Sequence, residues 1–236
     1  MAPEPDRQEP PARTSEWGAA LALLPIAATV GYYTLPAPLQ APTLIQFLPQ
    51  LLAYGTIGLW AARNSGRGFR LGLTAGGIGT GLRWGLATGL LLGCVNTATI
   101  LFVFPFLGYD IAFLKDTPHA RLPVLVMAPW FICAIAVFVE LNFRGFLLGR
   151  LAALEAPRWK SPRFQRWPPV ALLASALTFT FDPFMVNTFR HLHWIALWDG
   201  LIWGALWLRT RNLWITIVAH AVEVIVMYLA VRAVLR

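Results

Sequence analysis

The stretch Phe138-Val-Glu-Leu-Asn-Phe-Arg-Gly-Phe-Leu-Leu-Gly-Arg-Leu151 decides the fold. It begins inside an apolar run that starts at Leu122, and it sets Glu140 and Arg144 where membrane is expected. Residues four apart on a helix share one face, so the carboxylate and the guanidinium form a pair one turn apart. One charged group in hydrocarbon costs roughly 2.5–3.5 kcal/mol on insertion scales, so such a pair should face the protein interior. Ionisable groups at that depth point to function; a buried ion pair that only locks helices together is the alternative.

The rest of the chain agrees with a membrane setting. Hydrophobic residues make up 57% and charged residues 13% of 236, with mean hydropathy +0.59. A soluble domain carries about 25% charged residues. The expectation is an all-α, polytopic transmembrane helical bundle of about seven spans, near residues 16–35, 43–62, 84–107, 124–151, 170–185, 194–208 and 213–235. Residues 1–15 are Pro-rich with mixed charge and read as a disordered cytoplasmic tail, and residues 16–236 as a single transmembrane domain. The start of the chain lacks a basic segment before a short apolar core, so it does not read as a cleaved signal peptide. The Gly-rich Thr74–Gly81 segment has no phosphate-loop pattern and reads as a turn or helix start at the lipid surface.

The net charge of +8 comes from short loops between apolar runs, where basic residues act as topology signals and do not suggest nucleic acid. Arg63, Arg67, Arg70, Arg158, Lys160, Arg163, Arg166, Arg209 and Arg211 fall on one side of a seven-span arrangement. Lys115, Arg121, Arg190 and Arg232 fall on the other, which puts the N-terminus in the cytoplasm. The expected location is the bilayer of a bacterial inner membrane. Cys94 and Cys133 lie in apolar segments and make neither a disulfide framework nor a metal cluster.

Depth gathers the polar residues. At 1.5 Å per residue, Glu140 and Asp199 lie about 15 Å from the cytoplasmic ends of their spans, His220 roughly 12 Å and Asp182 near 20 Å. Glu223 follows His220 by three residues, on the same helix face. Several helices therefore carry ionisable groups at about one level, which predicts one buried polar site. A buried carboxyl and a buried imidazole both move toward neutral pH and can share the activation of a water molecule. No cofactor is implied. His220 with Glu223 is only a two-ligand fragment, so no metal is expected. His191 and His193 read as interfacial polar residues. A transporter should show internal repeats or broken helices, and neither is visible.

The string from Glu140 through Arg144-Gly145 to Arg150 resembles the first motif, E-E-x-x-x-R-G, of the CPBP family of intramembrane proteases, which includes type II CAAX prenyl endopeptidases and Abi proteins. Gly200-Leu-Ile-Trp-Gly204, the turn Arg209-Thr-Arg-Asn-Leu-Trp214 and His220-Ala221 are similar to the third region of that family. The resemblance covers about residues 122–224. It implies a membrane-embedded endopeptidase that cuts a peptide or membrane-protein substrate by water attack, without a covalent intermediate. No G-x-S-x-G is present.

The sequence also departs from the family. Val139 stands where the first glutamate is expected, Asp182 about where F-x-x-x-H places its histidine, and Val224 where H-x-x-x-N places its asparagine. Carried over residue by residue, the resemblance makes Glu140 and His220 the water-activating pair and Arg144 the group that orients Glu140. Asp182 and Glu223 become candidate replacements for the missing residues. The alternative is a pseudoprotease, a CPBP scaffold kept to bind or assemble a membrane partner.

Overall fold

Proline opens many of the helices. Pro49, Pro118, Pro162, Pro169 and Pro183 each stand in the first two helical positions. There the missing N–H would have had no helical partner, and the fixed φ suits the turn. The computed structural model describes residues 16–235; the segment 1–15 that the sequence assigns to a tail lies outside them.

The main helices are α1 (Ala19–Tyr32), α2 (Leu48–Arg63), α3 (Arg67–Phe106), α4 (Val124–Arg158), α5 (Pro169–Thr180), α6 (Pro183–Phe189), α7 (Ile195–Thr210) and α8 (Leu213–Val234). No strand occurs among the described residues. Helix occupies all seven apolar stretches named above. Three helices, α3, α4 and α8, are long and apolar enough to cross a membrane alone. The pair Pro162–Thr180 and Pro183–Thr210, bent by 48°, makes a fourth candidate. The α1 and α2 helices are shorter than the ~20 residues that a bilayer requires.

One seam fixes the bundle. Gly81, Gly85, Gly89 and Gly93 recur every four residues along α3 and form a stripe against α8. A Cβ at any of them would fall 2.4–2.9 Å from an atom of α8, among them Trp214, Val218, Ala219 and Val226. Small residues let two backbones approach closely where water supplies no driving force between helices. The two helices run parallel, since the pairs advance together from Gly81–Trp214 to Gly93–Val226. Helices α5 and α7 run antiparallel, with Gly200 against Ala176 and Gly204 against Leu172.

The turn between α7 and α8 is held from outside. Gly72 has φ +82°, a left-handed conformation that glycine adopts without steric cost, and its carbonyl accepts from Leu213 N at 2.9 Å. Trp207 Nε1 donates to Leu71 O at 3.3 Å, and Asn212 caps α8 through Trp214 N at 3.1 Å. At the same end, Glu16 gathers three partners. Trp60 Nε1 donates to it at 2.8 Å, and Arg150 and Arg70 pair with it at 2.5 and 3.3 Å. The Arg150 guanidinium also lies 4.4 Å from the Trp60 ring.

Candidate functional site

Within α4 the backbone is π-helical over Leu141–Leu148, directly after Glu140. A π turn bonds i to i+5 and widens the helix, and such turns are frequent at functional sites. Glu140 and Arg144 stay on one face: Arg144 Nη1 donates to Glu140 Oε1 at 3.1 Å, and both side chains are almost wholly buried. His220 Nδ1 lies 2.9 Å from the same oxygen, across from α8.

Aromatic rings complete the arrangement. The Trp203 ring stacks on His220 with centroids 4.8 Å apart. The Arg144 guanidinium lies 4.4 Å from the Phe179 ring and 5.0 Å from that of Trp203. A guanidinium over an aromatic face gains roughly 0.5–2 kcal/mol, which offsets part of the cost of burying it. Helices α4, α5, α7 and α8 thus each contribute one side of the cluster.

A second polar group lies beside the first. Asn96 of α3 donates through Nδ2 to both oxygens of Asp199 at 3.1 Å and to Glu223 Oε1 at 2.6 Å, and its Oδ1 accepts from Trp198 Nε1 at 2.8 Å. Arg144 acts electrostatically on Asp199 and Glu223 as well as on Glu140, so the two groups form one network. Asn96 carries no charge and so does not stand out in an apolar run of sequence. Its signal was positional: it follows Gly93 by three residues, on the face of α3 that the glycines give to α8.

The network borders a cavity of about 1000 Å³. His220, Asp199 and Asp182 line it, together with Phe143, Phe179 and Trp203. Glu140 and Glu223, about 0% and 1% exposed, stand behind this wall. Of the expected water-activating pair, His220 therefore faces the cavity, and Glu140 holds the ring from the far side. Asp182 is on the wall but bonded otherwise than the motif comparison suggests. It is the N-cap of α6, where its Oδ1 accepts from Phe184 N at 3.1 Å and Met185 N at 3.2 Å, while Gln50 Nε2 donates to its Oδ2 at 2.9 Å. The residue that opens an α-helix often plays this part. Val139 and Val224 also line the cavity, presenting aliphatic side chains at two motif positions.

His191 and His193 lie away from the cluster. His191 stacks on Tyr109 at 4.7 Å, and His193 lies 5.6 Å from the Phe181 ring. Among the described residues no group of three or more His, Cys, Asp or Glu is placed to hold a metal ion.

Residues 121–226 match the family model described as Type II CAAX prenyl endopeptidase Rce1-like. The matched segment, short of half the chain, is similar to that family of CAAX proteases, and its bounds enclose Glu140, Arg144, Asp182, Asp199, His220 and Glu223. Helices long and apolar enough to cross a membrane, together with that match, mark the chain as an integral membrane protein. No curated protein and no solved structure matches the chain.

Proposed function

We propose that the protein is a membrane-embedded endopeptidase whose His220 activates water at the wall of the apolar cavity. The observation that carries this is the single oxygen, Glu140 Oε1, shared by Arg144 and His220 in the family-matched stretch. A carboxylate on Nδ1 fixes the orientation and tautomer of an imidazole and leaves Nε2 for a proton from water. Arg144 keeps Glu140 in place. Asp199, on the same wall as His220, is the carboxylate best placed to hold the water, and Asn96 and Glu223 steady it. Asp182 shapes the cavity by capping α6. The cavity would take an apolar segment of a peptide or membrane protein, whose scissile carbonyl meets the water beside His220.

The proposal includes a seven-span arrangement with the N-terminus in the cytoplasm of a bacterial inner membrane, supported by helix in all seven stretches and by the one-sided basic loops. Cysteine accessibility at Lys160 and at Lys115 checks it: labelling of both from the same side would sink the arrangement. The second reading, a pseudoprotease, draws on the aliphatic Val139 and Val224 on the cavity wall.

The experiment that separates the two compares new protein N-termini in membranes that carry the parent, Glu140→Ala or His220→Ala at equal levels. N-termini seen with the parent and lost with both variants support proteolysis and name the substrates. The same set in all three membranes would leave the binding scaffold.

A further inference from the structure

The cavity has a second polar end that the water chemistry leaves unused. Its wall along α8 is one stripe, His220, Val224, Met227, Tyr228, Val231 and Arg232, spaced by threes and fours on one helix face. From His220 to Arg232 is about 18 Å at 1.5 Å per residue. Lys115 and Thr117 also line the cavity, and their segment is tied to Arg232 through Ala120, whose carbonyl accepts from Arg232 and whose amide donates to Thr117 Oγ1 at 3.4 Å. Arg232 Nη1 donates to Ala120 O at 2.9 Å, Leu122 O at 3.2 Å and the Tyr228 hydroxyl at 2.8 Å. These three acceptors anchor the guanidinium and leave Nε and Nη2 unbonded among the described residues. Lys115 is exposed and makes no ion pair among the described residues.

The surrounding charges do not cancel this end. Asp116, next to Lys115, is absent from the wall, while Asp182 is bonded by Gln50 and two amides and Asp199 by Asn96. His119 is on the wall too, and burial pushes its imidazole below the ordinary value, so it adds no charge near neutral pH.

We propose that this end binds the anionic head of a single-chain amphiphile, a carboxylate or a phosphate monoester, with its hydrocarbon chain laid along the α8 stripe toward His220. Charge complementarity chooses the head, since Lys and Arg form charge-assisted hydrogen bonds to such oxygens. The wall chooses the chain. Beyond the reach of His220, an extended peptide would bury unpaired backbone groups, because the helical wall there has already committed its own backbone donors and acceptors. A hydrocarbon chain has nothing to satisfy. The inference concerns binding alone and does not rest on the proteolytic reading, so failure to cut and failure to bind are separate results.

The test is competition for radiolabelled palmitate on the purified full chain in nanodiscs. Palmitate, hexadecyl phosphate, hexadecanol and a hydrophobic peptide with a free C-terminal carboxylate are the competitors. The expected result is that hexadecanol binds about tenfold or more weakly than palmitate. Arg232→Met and Lys115→Gln should each remove that preference, and Val224→Trp should weaken the long chain. The stronger of palmitate and hexadecyl phosphate then separates a free fatty acid from a phospholipid-type head. Lys115 is exposed and its side chain makes no hydrogen bond or ion pair among the described residues, so an effect of Lys115→Gln cannot be charged to misfolding. Equal binding of acid and alcohol, an unchanged preference in Lys115→Gln, or a peptide that outcompetes palmitate would each overturn the proposal.

Discussion

Helix α8 has two unlike faces. Toward α3, Trp214, Val218 and Val226 sit over Gly81, Gly85 and Gly93 with no room for another methyl group. Toward the cavity, Val224, Met227 and Val231 of the same helix border open volume. The tight face sets where the helix stands, and the loose face can then carry a histidine that nothing fills in front of. On the proposed reading, position comes from glycine on one side and chemistry from charge on the other, so the two should fail differently when each is altered.

The largest expected effect is on the loose face. His220→Ala should lower cleavage by about 10²–10⁴-fold, the usual contribution of a positioned acid or base, and should cost about 1–3 kcal/mol of stability because Glu140 Oε1 loses one of its two partners. A parallel collapse of stability would make His220 a structural residue and erase the contrast. Next comes Arg144→Met, which leaves Glu140 buried without its cation. Removing one partner of a buried pair costs about 3–5 kcal/mol, readable as a lowered unfolding midpoint in detergent. A loss near zero would mean that His220 alone satisfies Glu140.

The tight face offers a smaller, purely structural test. Gly89→Val should cost about 1–3 kcal/mol or more by overpacking, while Val224→Leu on the cavity side should stay within about 0.5 kcal/mol. Equal costs would show that the cavity face is packed as closely as the seam. A modest effect is expected for Asp182→Ala, about 1 kcal/mol from the lost cap, with cleavage largely kept. If Asp182→Ala abolished cleavage as fully as His220→Ala, Asp182 would belong to the chemistry after all.

Much of this was legible beforehand. Helix in all seven apolar stretches follows from hydropathy and proline placement. Glu140 and Arg144 announced themselves because charge is costly in hydrocarbon, and His220 because it lies at a similar depth on another helix. Depth along a helix is one coordinate, and it cannot tell which way a side chain turns about the axis. That is why Asp182 matched in level yet proves to cap α6, and why Glu140 matched yet stands behind the wall. Asn96 escaped because an amide costs far less than a charge in an apolar run. The glycine stripe that places it was in plain view, but its meaning depends on knowing that α8 is the neighbour.

Glu16 has a consequence in time. Trp60, Arg70 and Arg150 converge on its one carboxylate, from α2, α3 and α4. A chain is made from its N-terminus onward. Glu16 therefore leaves the ribosome long before Arg150 exists, and the seat of α1 cannot be completed until the end of α4 has been synthesised. The first helix to be made is not the first to be finished.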